Sequence, residues 1–175
     1  MSRTTFPNPS RGSTSPPSAE RGEEVAKWAI GAHGDGVCAL GVAGIEGLVP
    51  ASTYATAFQM AHDAGVPVIP HAGETRGPES IREALDLTKP LRIGHGVRAL
   101  EDAAVARELV DRQIPLEVCP SSNICLGVVP SLAEHSLPKL MDRGMYVTIN
   151  SDDPPMFGTT VSDELFRCAE TFGFN

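Results

Sequence analysis

"VIPHAGETRGP", residues 68–78, opens as a strand and closes as something else. Val66, Val68 and Ile69 form a short apolar run of the kind that fills a buried strand. The chain then presents His71, two small residues and Glu74 before it breaks at Gly77-Pro78. An imidazole and a carboxylate three residues apart, at the end of such a strand, call for an explanation from the flanking sequence.

The same alternation runs outward in both directions. Upstream, "EEVAKWAIGAH" (23–33) reads as a helix and "VCALGVA" (37–43) as a buried strand. "TYATAFQMAHDAG" (53–65) is a helix stopped by Gly65. Downstream, "PESIREALDL" (78–87) is helical and "LRIGH" (91–95) a strand. "LEDAAVARELVDR" (100–112) and "IPLEVCP" (114–120) repeat that pair. "SLPKLMDRG" (136–144), "MYVTINS" (145–151) and "TTVSDELFRCAE" (159–170) give a short helix, a strand and a last helix. Short apolar strands separated by helices predict βα units, a parallel sheet and an α/β fold.

Polar groups gather where these strands end. The second ends at His71, the third at His95, the fourth at "CPSSN" (119–123) and the fifth at "SDD" (151–153). Parallel sheets and barrels build their sites at the carboxyl ends of strands, where the loops converge on one mouth. Taken singly each signal is weak: a lone His is usually a hydrogen-bonder, and Asp-Asp-Pro favours a turn. Together they match a metal-assisted hydrolase. Neutral imidazole and carboxylate are ligands for Zn²⁺, which lowers the pKa of its water toward neutrality. His71 and Asp152 would supply one nitrogen and one oxygen. Glu74, held just past His71 by Ala72 and Gly73, suits a proton shuttle. His95 could hold the attacking water.

The totals exclude several other classes. A chain of 175 residues allows one domain with a real core. A net charge of -8 argues against a general grip on nucleic acid, which needs clustered Lys and Arg. The four cysteines form no C-x-x-C pair. A cytidine-deaminase type of zinc site needs H-x-E with P-C-x-x-C, whereas this chain has H-x-x-E and no such pair. No apolar stretch is long enough to span a membrane and no secretory h-region is present, so the expectation is a cytoplasmic protein. The Ser/Pro-rich residues 1–20 are expected to be a disordered leader, with the folded part over 21–175.

The motifs "HAGE" (71–74), "RIGHG" (92–96), "CPSSN" (119–123) and "NSDDPPMFGT" (150–159), in this order and spacing, resemble those of the adenosine deaminase family. "VAGIEG" (42–47) resembles the family's preceding strand-end loop, and the likeness runs over about residues 25–170. The resemblance implies part of a (β/α)8 TIM barrel with one zinc ion, and replacement of a purine 6-amino group by oxygen. It implies that His71 and Asp152 are zinc ligands, that Glu74 protonates the purine N1, and that His95 orients or deprotonates the attacking water. It further implies that Asp153 binds the N7 side and that the backbone of Gly44 approaches N3.

Two departures from the family pattern stand out. Gly41 and Ile45 occupy positions that are often acidic, although Glu46 remains. More consequentially, the family's first strand carries an H-x-H pair that completes the zinc site, and this chain contains none. Five strands are legible where the barrel has eight. The expectation is therefore a C-terminal part of the barrel. Two protein ligands are fewer than the three of a catalytic zinc site, so the chain alone should bind zinc poorly and be weakly active or inactive. Its open sheet edge should favour self-association. The expected reaction is adenosine to inosine plus ammonia, with "DDPPMFGT" leaning toward a nucleoside. Adenine or aminodeoxyfutalosine deamination is the alternative within the resemblance, and a non-catalytic remnant that binds a partner subunit is the alternative outside it. Cys119 reads as a small buried residue, Cys125 as structural, and His62 and His135 as surface groups.

Overall fold

The computed structural model describes residues 18–174. Residues 1–17 of the expected leader lie outside that range. The end of the leader is already helix: Ser18 Oγ accepts from the Arg21 N–H at 3.3 Å and caps α1 (Ala19–Ala32). Five strands follow, β1 (Leu40–Val42), β2 (Val68–Ala72), β3 (Ile93–His95), β4 (Leu116–Val118) and β5 (Val147–Ile149). Between and beyond them lie α2 (Ala55–Asp63), α3 (Pro78–Thr88), α4 (Ala103–Arg112), α5 (Pro120–Cys125), α6 (Leu137–Asp142), α7 (Pro154–Phe157) and α8 (Val161–Phe172).

Every strand and helix expected from the sequence is present, but most of the strands are shorter. Val37 bridges back to His33 rather than joining the sheet, so the first strand starts late. The fourth stops at Val118 because Cys119 is already the cap of α5. "CPSSN" is thus the start of a helix with Pro120 at its first position, where a missing N–H costs nothing. Periodicity also misses three short 3₁₀ turns, at Ala51–Tyr54, Ala99–Glu101 and Leu132–Glu134.

The strands are all parallel and lie in the order β1-β2-β3-β4-β5. An order that follows the chain without reversal has no switch point of the doubly wound kind. It is the progression of successive βα units around a (β/α)8 barrel, and the fold is a part of one. Apolar side chains on the helix side of the sheet form the core. One cluster joins Ile81, Ile93, Leu109, Leu116 and Leu140, and a second joins Ala26, Phe58, Ala61 and Val68.

The register positions the site. His71 is level with Gly94, and Ala72 with His95. A Cβ at position 94 would stand 2.6 Å from Cδ2 of His71, so glycine there lets the imidazole lie across the neighbouring strand. Gly73 has φ +67°, and a Cβ there would meet Ile81 at 2.4 Å; the turn that carries Glu74 inward needs both its freedom and its lack of a side chain.

Candidate active site

Four of the expected residues come together at the carboxyl ends of β2, β3 and β5. The rings of His71 and His95 meet edge to face with centroids 4.8 Å apart. His95 Nδ1 lies 3.5 Å from Glu74 Oε1, and its Nε2 lies 4.0 Å from Asp152 Oδ2. His71, His95, Cys119 and Asp152 all line one cavity of about 300 Å³. Two sets of donor atoms lie close enough to share a cation: His71, Glu74 and His95, and His95, Cys119 and Asp152.

Backbone geometry marks the same place. His95 and Asp152 have φ of 65° and 55°, in the left-handed region where a non-glycine residue is strained by roughly 1–3 kcal/mol. Among the described residues the other two of this kind, Lys89 and Gln113, merely end helices. Residues 95 and 152, by contrast, bring an imidazole and a carboxylate to the lining of the cavity.

Burial sets the protonation states. Glu74 is 6% exposed, and desolvation, aided by the carboxylates of Glu46 and Asp152, pushes its pKa up to about 7. His95 is 2% exposed, and desolvation with the neighbouring His71 lowers its pKa to about 4, against the pull of Asp152 and Glu46. At neutral pH the Glu74–His95 contact is therefore not an ion pair: the imidazole is neutral and the carboxyl is partly protonated. Burial and Asp152 push the Cys119 thiol up to about 12.

A second group of side chains holds these in place. Ser122 Oγ donates to Asp152 Oδ2 at 2.8 Å. Asn123 Nδ2 lies 3.4 Å from His95 Nδ1, and Asn123 Oδ1 lies 3.2 Å from His135 Nε2. His135 Nδ1 in turn accepts from the Leu137 N–H at 3.0 Å. His135 is 2% exposed, which corrects its reading as a surface group; burial lowers its pKa to about 4. His62 is also not a free surface group, since its Nε2 is buried. Cys119 is buried as expected, and Cys125 is exposed.

Glu46, half-buried in the loop after β1, braces the loop that carries Glu74. Its Oε2 accepts from the backbone N–H of Glu74, Thr75 and Arg76 at 3.0, 2.6 and 2.7 Å, and its Oε1 accepts from Ser80 Oγ at 2.9 Å.

The two remaining expected residues sit apart from this cluster. Gly44 lines a neighbouring cavity of about 200 Å³ that it shares with His71. Asp153 is exposed at the start of α7, where its carbonyl accepts from the Met156 and Phe157 N–H groups. Sequence reading missed Asn123 and His135 as a linked pair, as well as the brace at Glu46. The only signal for them was polar residues inside or beside the strand-end motifs.

Each of two overlapping donor sets has the chemistry to hold a metal ion, two imidazoles with the Glu74 carboxyl, whose Oε1 is buried and without a hydrogen-bond partner, and the His95 imidazole with the Cys119 thiol and the Asp152 carboxylate; neither set contains both His71 and Asp152. Sheet and site together define the class, a (β/α)8-type protein with a strand-end cluster able to hold a metal. The family model for adenosine deaminase matches residues 14–175, and the chain belongs to that family. It is 52% identical over 139 residues to the adenine deaminase of Agrobacterium fabrum, which covers 79% of this chain and 43% of the relative. The crystal structure of an adenine deaminase from Arthrobacter aurescens superposes with a TM-score of 0.84 at 37% identity, over 90% of this chain and 48% of that one. An Arabidopsis ADAL complexed with IMP matches at a TM-score of 0.82 and 27% identity, over 91% and 46% of the two chains. The chain thus spans about half the length of the relatives it matches. Among the described residues, no helix is long and apolar enough to cross a membrane.

Proposed function

We infer that this chain carries the acid and metal-binding residues of a zinc-dependent purine deaminase whose substrate is adenine. The observation that carries the reading is the convergence of His71, His95 and Asp152 on one cavity, with the buried carboxyl of Glu74 against His95. His71 and Asp152 would hold the zinc ion, which when bound lowers the pKa of its water toward neutrality. Every other part of the chemistry belongs to protein groups. His95 orients the attacking water, whose oxygen forms a bond to C6 of the purine. Glu74, neutral in part near pH 7, gives its proton to N1 as that bond forms. A proton that the attacking water gives up passes by way of a strand-end carboxylate to the amino group, the C6–N bond breaks and ammonia leaves, and the C6 hydroxyl returns its proton to Glu74, giving hypoxanthine. Asp153 and Gly44 would meet the N7 and N3 edges of the ring.

Adenine is better supported than adenosine, because the 52% and 37% identical relatives both bear the name adenine deaminase. Zinc binding should be weak with only His71 and Asp152 as ligands, so turnover by the chain in isolation should be slow. The test is ammonia release by zinc-loaded protein from adenine and adenosine in parallel. A higher kcat/KM for adenine is expected, with that activity lost in Glu74→Gln by about 10²- to 10⁴-fold. A preference for adenosine would overturn the substrate, and full activity in Glu74→Gln would overturn the mechanism.

A further inference from the structure

The hydrogen-bond chain behind His95 can run in only one direction. A backbone N–H can only donate, so the Leu137 N–H makes His135 Nδ1 an acceptor. Burial keeps His135 neutral, and its single proton must then sit on Nε2, from which it is donated to Asn123 Oδ1. That leaves the Asn123 amide nitrogen, which also can only donate, facing His95 Nδ1 at 3.4 Å. We propose that Asn123 and His135 are positioning residues that fix His95 in the tautomer with its proton on Nε2, the nitrogen turned toward Asp152.

A further observation agrees. All three polar side chains are buried, at 0% exposure for Asn123 and 2% for each histidine, so solvent cannot supply the opposite polarity.

The consequence rests on the deaminase reading above. A ring nitrogen that already carries a proton donates to the oxygen of a water lying between His95 and Asp152, and cannot take a proton from it. His95 therefore orients the nucleophile and leaves its deprotonation to a carboxylate. The polarity that decides this begins at one backbone amide on α6, far along the chain from the imidazole it controls.

The test is long-range ¹⁵N–¹H correlation NMR of the imidazole rings in the ¹⁵N-labelled chain at pH 7. Both His95 and His135 are expected to show the pattern of a proton on Nε2. In Asn123→Asp, whose side chain can only accept, His95 should switch to the Nδ1–H pattern while His135 keeps its own. An Nδ1 proton on wild-type His95, or an unchanged His95 in folded Asn123→Asp, overturns the proposal. Should that variant fail to fold, the wild-type spectrum decides alone. Neither readout involves turnover. The wrong tautomer would leave the deaminase reading standing, and a protein without deaminase activity but with the expected tautomer would keep the relay and lose that reading.

Discussion

Glu74 and His95 touch in a buried corner where each is driven toward its neutral form, and both consequences can be measured. In the proposed role of proton donor Glu74 would work only while protonated, and its pKa is near 7. Deamination should therefore decline as pH rises through about 7; a rate that climbs from pH 6 to 8 would contradict the assignment. Stability moves the other way in acid. His95 and His135 titrate near 4 when folded but near the ordinary 6.5 when unfolded. Between those values the unfolded chain binds more protons, so stability is lost as pH falls from 6.5 toward 4. Glu74, raised from 4.5 to about 7, opposes this by gaining stability over the same descent. With two histidines against one carboxyl, the net loss from pH 7 to 4.5 is on the order of 2 kcal/mol. Urea midpoints at the two pH values measure it, and a higher midpoint in acid would refute it. His71, Glu74, His95 and Asp152 could be singled out because each lies at or just past the end of an apolar run, and the structure brings them into one cluster. His135 could not be singled out, since an isolated histidine in a turn carries no period and its burial depends on α6 and on Asn123.

At the scale of elements, the short helix α5 is held from outside itself. The buried Glu164 of α8 accepts from the Ser121 N–H at 3.0 Å and from Thr159 Oγ1, satisfying an otherwise free amide in the first turn of α5. Glu164→Ala should lower stability by roughly 3 kcal/mol, because it leaves buried donors unpaired. A urea midpoint within error of wild type would show that α5 is held otherwise. The same short helix presents Ser122 to Asp152, so on the proposed zinc reading Ser122→Ala should weaken zinc affinity about 10- to 100-fold by freeing the Asp152 carboxylate from its support. Competition with a chelating dye reads that change, and equal affinities would exclude it. The strand-end loop after β2 depends on Glu46 in the same way. Glu46→Ala should speed hydrogen exchange at Thr75 and Arg76, with the strand amides of β3 unchanged. None of these links was readable from the sequence, because each joins residues about 30 to 40 positions apart.

The whole molecule presents two strand edges, β1 and β5, at the ends of a sheet that is not closed among the described residues. Beside β5, Tyr146, Leu165 and Phe166 are exposed at 52%, 50% and 63%. Unpaired edges next to apolar surface template association. Sedimentation velocity should show mass rising with concentration, and Tyr146→Lys should reduce it. A monomer at every concentration would remove the idea.

The amino-acid sequence alone determined the alternation of strand and helix, the parallel sheet, and the strand ends at which the chemistry-bearing residues sit. Those follow from local periodicity and from motifs only a few residues long. Tertiary structure alone decided which of those residues meet, how far Glu74 and His95 are driven from their usual protonation states, and which nitrogen of His95 faces its amide donor. Desolvation and hydrogen-bond direction are properties of the surroundings in space, and in this fold those surroundings come from elements that the chain supplies far apart.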